Sequence, residues 1–305
     1  MFEERSSFTG CEGEELNYIK WSPENESNIV IQIIHGMAEH KERYKDFANF
    51  LTERNITVYI ADIRGHGDHI DSEMEGFFHE EDGWDKVIKD RRIFTEKIAG
   101  ENEGIALFIF GHSMGSLILR DYITRYKTLY NGIILSGTAS PIGLQGHAAK
   151  LIIKNSLKKG RKNKNHKLDA MVFGGNNKPF EPSRTKFDWL SRDEKIVDEY
   201  IDDDKCGFVC TTQFFDDLLY GLMRLDKKAN IQMIRKDIPI LMFSGEMDPV
   251  GGLSKGVKKV YKRYKKAGIN DITLKLYKDN RHECLNELNK NEVYTDIVDW
   301  IKAKI

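Results

Sequence analysis

Apolar, β-branched runs alternate with stretches of helical periodicity from about residue 15 to 135, the signature of strands joined by crossover helices. "NIVIQII" (28–34) predicts a buried strand, and Tyr44, Phe47, Ala48 and Leu51 share one face of the helix after it. "ITVYIAD" (56–62) predicts the next strand, followed by a helix with Trp84, Val87, Ile88 and Phe94 at helical spacing. "GIALFIF" (104–110) and "GIILS" (132–136) continue the series. Between about 138 and 235 the rhythm breaks into polar stretches and helix-like segments such as "DEKIVDEYI" and "QFFDDLLYGLMRL". It then resumes with "IPILMFSG" (238–245), a helix near 253–267, "ITLKLYK" (272–278) and a closing helix bearing Val293, Ile297, Trp300 and Ile301. The pattern predicts an α/β core formed by residues 1–137 and 236–305, interrupted by an inserted region, 138–235, set over one end of the sheet. No internal repeat or low-complexity linker marks a separable second domain.

Charge and cysteine content narrow the setting. The 47 basic and 48 acidic residues leave a formal net charge of −1, so no global field draws the chain to nucleic acid or an anionic membrane. Four cysteines in 305 residues are too few for a disulfide framework, and "MFEERSSFTG" lacks the basic and apolar regions of a secretory leader. A cytoplasmic setting is expected, with peripheral membrane contact left open and oligomeric state unspecified.

The apolar run "IALFIF" stops at "GHSMGS" (111–116) and turns apolar again. A G-x-S-x-G match says little alone. At the junction of a buried strand and a helix it marks a nucleophile elbow, in which the glycines permit close packing and Ser113 takes a strained turn conformation. A serine hydroxyl needs a base and a group to orient that base. "ILMFSGEMDPVGG" places Asp248 just past one late strand, and "LKLYKDNRHECLNE" places His282 just past the last. Glu246 competes with Asp248 as the acid, whereas Glu283 adjoins the histidine too closely to orient it easily. Two backbone donors must meet the oxyanion. Met114, after the serine, supplies one; "IIHGMAEH" (33–40), after an early strand, offers the amide of Met37 once Gly36 turns the chain. His112 is not expected to act as the base, because the elbow aims its neighbours elsewhere.

"HGMAEH", "DIRGHG", "GHSMGS", "SGEMDPVG" and "RHECLNE" together resemble the monoacylglycerol lipase and lysophospholipase-like branch of the α/β-hydrolase superfamily, over nearly the whole chain. The resemblance implies an eight-stranded, mostly parallel sheet flanked by helices, with a helical cap between strands six and seven. It implies Ser113 as nucleophile, Asp248 as acid, His282 as base, and Met37 with Met114 as oxyanion-hole donors. It also implies hydrolysis of a single-chain acylglycerol or lysophospholipid, with no metal or organic cofactor. A thioesterase or short-chain carboxylesterase would use the same triad, and a non-catalytic ligand-binding scaffold would lack one of its members. "RGHG" departs from the family pattern in being followed by Asp68-His69, which implies a differently shaped loop, while Arg64 and His66 read as structural.

The inserted region carries the remaining candidates. "KLIIKNSLKKGRKNKNHK" (150–167) holds eight Lys or Arg and no acid. It reads first as a solvated face or mobile loop and second as a contact patch for anionic lipid surfaces or for the phosphate of a lysophospholipid. Leu151, Ile152 and Leu157, with Phe214, Phe215, Leu218, Leu219 and Met223, are candidates to line an acyl tunnel, as is Val250 beside the acid, although such stripes are more often plain core. Cys206 and Cys210 in "CGFVC" lack the partners of a zinc site and read as buried thiols. The acidic clusters "IDDDK" (201–205) and "HEED" (79–82) read as solvated loops, and no Walker loop or dinucleotide fingerprint occurs.

Overall fold

The computed structural model describes residues 1–68 and 73–305. In chain order the strands and α-helices are β1 (Phe2–Thr9), β2 (Glu15–Ser22), β3 (Ile29–Ile34), α1 (Lys45–Thr52), β4 (Ile56–Ala61), α2 (Gly83–Glu101), β5 (Ala106–His112), α3 (Met114–Arg125) and β6 (Gly132–Ser136). There follow α4 (Gln145–Leu157), α5 (His166–Phe173), α6 (Glu194–Asp202), α7 (Thr212–Asp226) and α8 (Lys228–Gln232). The series closes with β7 (Ile240–Gly245), α9 (Lys255–Lys266), β8 (Ile272–Tyr277) and α10 (Lys290–Lys302).

The eight strands form one sheet in the order β1-β2-β4-β3-β5-β6-β7-β8. β1 and β2 form an antiparallel hairpin and β2 pairs antiparallel with β4; every other pairing is parallel. Residues of β3, β4, β6 and β7 are buried throughout, as expected of parallel strands covered on both faces. On one face α1 and α10 enclose a core containing Phe47, Leu51, Phe110, Phe243 and Ile297. On the other, Trp84, Ile118, Tyr122 and Val257, from α2, α3 and α9, form the larger core.

The inserted elements α4 to α8 lie between β6 and β7, yet they do not form a separate body. Phe214, Phe215, Leu218 and Leu219 of α7 are buried in the same cluster as Trp84 and Ile118. The Asp121 carboxylate on α3 joins three helices: it accepts from Trp84 Nε1 on α2 at 2.9 Å and from Arg224 Nε on α7 at 3.0 Å. α7 is therefore part of the helical layer of the core, and the cover over the sheet's carboxyl end comes from α5, α6 and the irregular chain around them. Arg64 is buried and paired with Asp90 at 2.6 Å, which anchors the "RGHG" loop. Asp68 pairs with Lys41 at 2.5 Å and with Lys205, while His69 lies outside the described residues. Among the described residues no helix is long and apolar enough to cross a membrane.

Candidate active site

Ser113 sits between the last residue of β5 and the first of α3, with φ 49° and ψ −119°. A non-glycine residue at positive φ is strained, and surrounding structure must hold it there. Here the Ser113 N–H donates to Ser136 O of β6 at 2.9 Å. The glycines answer a steric demand: a Cβ on Gly115 would lie 2.0 Å from Ile34 O, and one on Gly111 2.6 Å from Gly115 O. Helix α3 can approach β3 and β5 this closely only without those side chains.

His282, on the loop after β8, meets the serine. Its Nε2 lies 2.8 Å from Ser113 Oγ and its Nδ1 3.0 Å from Asp248 Oδ1. The carboxylate can only accept, so Nδ1–H donates to Asp248, and Nε2 is left to accept from the serine hydroxyl. Asp248, on the turn after β7, is 0% exposed and also accepts from Ser244 Oγ at 3.0 Å and Val250 N–H at 2.9 Å. Burial would raise its pKa, but the His282 charge and the hydrogen bonds from His282 and Ser244 hold it below the usual carboxylate value. Burial would conversely depress His282, but the Asp248 charge outweighs it and keeps the ring above its ordinary value. Glu246 is exposed, which leaves Asp248 as the carboxylate against the histidine. His112 lies with its ring 4.9 Å from that of His282; burial, with the His282 charge, brings its pKa down to about 4.

The loop after β3 lies beside the serine: a Cβ on Gly36 would be 3.3 Å from Ser113 Cβ. Met37, Ser113 and His282 line one cavity, and the amides of Met37 and Met114 make no hydrogen bond to a protein acceptor among the described residues. Glu39 secures this loop by accepting from Gly36 N–H and, at 2.9 Å, from Tyr44 OH. Arg43 then donates to Glu39 Oε2 at 2.7 Å and to both oxygens of Glu283, beside the histidine, at 2.8 Å. The insert fastens to the same two loops. Tyr200 OH and Gly207 N–H both donate to Ala38 O at 2.9 Å, and Glu283 N–H donates to Leu190 O at 2.8 Å. Sequence reading missed this framework; the i,i+4 pair Glu39 and Arg43 beside the predicted oxyanion loop was its one visible signal.

Above Ser113 is a cavity of about 250 Å³ walled by Phe173, Phe187, Trp189, Leu190, Phe208 and Val209. The acyl-tunnel candidates do not line it. Leu151 is 72% exposed on α4 with Ile152 beside it at the surface. Phe214, Phe215 and Leu218 face α2 and α3 in the main core, where Leu219 joins them and Leu157 and Met223 pack at its edge. Val250 packs against the small cluster of Trp189, Leu190 and Tyr200, behind the cavity wall. The walls come instead from α5 and from two irregular segments, 186–190 and 207–209.

Known proteins resemble this chain along nearly its full length. The monoacylglycerol lipase of Mycolicibacterium smegmatis is 28% identical over 302 residues, covering 98% of this chain and 97% of that protein. The monoglyceride lipase of Mus musculus is 24% identical over 321 residues, covering 100% and 92%. A highly thermostable carboxyl esterase from Bacillus coagulans, solved in complex with glycerol, superposes with a TM-score of 0.91 over 100% of this chain and 99% of that one; at 24% identity this likeness is one of fold. Residues 25–289, which span the elbow, the Asp248 turn and the His282 loop, match the Hydrolase_4 family model, serine aminopeptidase, S33, and the chain belongs to that family of α/β-hydrolases.

Proposed function

We propose that the protein is a serine carboxylic-ester hydrolase that cleaves the acyl ester of a single-chain lipid, a monoacylglycerol or lysophospholipid. The observation that carries the reading is the continuous hydrogen-bonded chain from Ser113 through His282 to Asp248 at the floor of an aromatic cavity. Ser113 Oγ attacks the ester carbonyl as its proton passes to His282 Nε2, and the Met37 and Met114 amides stabilise the oxyanion. Collapse of the tetrahedral intermediate expels the alcohol, which takes the proton from His282 and leaves an acyl-Ser113. Water, deprotonated by the same histidine, then releases the fatty acid.

Mostly aromatic and aliphatic walls above Ser113, edged by Asp169 and Lys186, suit one acyl chain, and the likeness along nearly the full chain to a monoacylglycerol lipase and a monoglyceride lipase supports this substrate class. Exposed Leu144, Leu151, Met171 and Val172 on and before α4 and α5, near the basic segment, support transient contact with a lipid surface. One observation favours a second reading, a short-chain esterase: the cavity is smaller than the roughly 300–1,000 Å³ common for ligand sites. Rates on glycerol monoesters and thioesters of increasing acyl length decide between them. The lipase reading expects kcat/KM to rise toward long acyl groups; preference for acetyl or butyryl esters would sink it.

A further inference from the structure

His40, Asp203 and Cys206 bring an imidazole nitrogen, a carboxylate oxygen and a thiol sulfur within 4.8 Å of one another. None of the three takes part in the hydrolytic chemistry described above. His40 is buried at the end of the Met37 loop, whereas Asp203 and Cys206 flank a turn just after α6. That turn is closed by a 2.9 Å bond from Cys206 N–H to Asp203 O, and Gly207 follows it with φ +66°. Two donors three residues apart on a hydrogen-bonded turn project to the same side, the spacing by which short loops present paired metal ligands. Lys205 N–H holds Asp203 Oδ1 at 2.9 Å, which turns Oδ2 toward His40 Nε2 at 2.7 Å. The Cys206 thiol makes no hydrogen bond among the described residues. A groove of about 290 Å³, lined by His40, Glu42, Arg43, Glu199, Tyr200 and Asp203, opens beside the His40 and Asp203 side of the cluster.

We propose that His40 Nε2, an Asp203 carboxylate oxygen and Cys206 Sγ bind a divalent cation of the zinc class, with water from the groove as the fourth ligand. Imidazole and thiolate donors select Zn²⁺ or Co²⁺ over Mg²⁺ or Ca²⁺. Binding releases the thiol proton and moves the Nε2 proton to Nδ1, so the 3.4 Å bond from Glu42 N–H to Nδ1 is given up. Nε2 and Oδ2 must part by roughly 0.5 Å to reach tetrahedral spacing. The nearby Arg43 guanidinium does not oppose the cation strongly, because Glu39 and Glu283 already balance it. Gly207, next to Cys206, is hydrogen-bonded to Ala38, two residues before His40, so a bound ion would clamp the insert to the Met37 loop.

The test reads metal binding and stands apart from ester hydrolysis. Reduced, chelator-stripped full-length protein is titrated with Co²⁺, and the thiolate-to-cobalt charge-transfer absorption is followed. One equivalent is expected to bind with a tetrahedral spectrum, to be displaced by Zn²⁺, and to bind more weakly as pH falls. The band should vanish in Cys206→Ser and persist in Cys11→Ser. His40→Gln should weaken Co²⁺ binding by more than the roughly 10–100-fold that loss of a supporting hydrogen bond costs. Absence of the band in the wild type, or its full persistence in Cys206→Ser, overturns the site. Should Cys206→Ser fail to fold, undiminished affinity in His40→Gln does the same.

Discussion

The Arg43 guanidinium donates to both carboxylate oxygens of Glu283 at 2.8 Å, and so joins the loop that carries Met37 to the loop that carries His282. Burial would raise the Glu283 pKa, but the Arg43 charge holds it well below the usual range. Arg43→Gln would leave two buried carboxylates, Glu39 and Glu283, without their shared cation. Both raise the His282 pKa through their charge. The expected result is a kcat reduced by about 10–100-fold, an acid limb of kcat/KM moved to higher pH, and a stability loss of about 3–5 kcal/mol. Arg43→Lys should restore part of the activity. A thermal-melt deficit with an unmoved pH profile would mean that Arg43 acts on stability alone.

The pH dependence of the wild type follows from the direction of the His282 shift. As the proposed base, His282 must be neutral to act, and Asp248 holds its pKa above the ordinary value near 6.5. Activity should therefore fall as pH drops through a midpoint above 6.5. Asp248→Asn removes the charge that raises the ring, so the midpoint should move down. Its kcat should also fall by about 10⁴-fold, because the amide no longer holds the reactive tautomer. pH profiles of the two proteins on one soluble ester provide the comparison.

The elbow makes a steric prediction. Gly115→Ala would place its methyl carbon 2.0 Å from Ile34 O, so α3 must move away from β3. A loss of at least about 3 kcal/mol is expected from chemical denaturation, with Ser113 displaced from His282 and little activity in whatever protein remains folded.

The strands visible in the sequence were those whose burial writes itself into composition. "GIILS" coincides with β6, and "NIVIQII" and "ITLKLYK" each exceed their strands by one residue. β1, with the sequence FEERSSFT, was not legible: seven of its eight residues are exposed, and it is held by pairing with β2 at the sheet edge rather than by burial. Short motifs at strand ends pointed to Ser113, Asp248 and His282, because the topology dictates where such ends converge. The cavity wall was not legible. Periodicity identifies an apolar face, but it does not say what that face meets. The α7 stripe met α2 and α3, while Trp189 and Phe208 reach the cavity from segments without any period.

Val209 tests the cavity as the acyl site. Val209→Phe adds bulk to a wall above Ser113. It should raise KM for long acyl esters by about 10-fold while leaving acetyl esters within roughly 2-fold, consistent with about 1–3 kcal/mol per misplaced group. Equal effects on all chain lengths would place the acyl chain elsewhere.

The central claim is that Ser113 is the nucleophile, activated by His282. Labelling with a fluorophosphonate probe addresses it directly, since the probe captures a serine only when an adjacent base has activated it. The account predicts stoichiometric labelling of the wild type and none of Ser113→Ala at unchanged thermal stability. An unlabelled wild type, or a Ser113→Ala variant labelled as fast as the wild type, would contradict it.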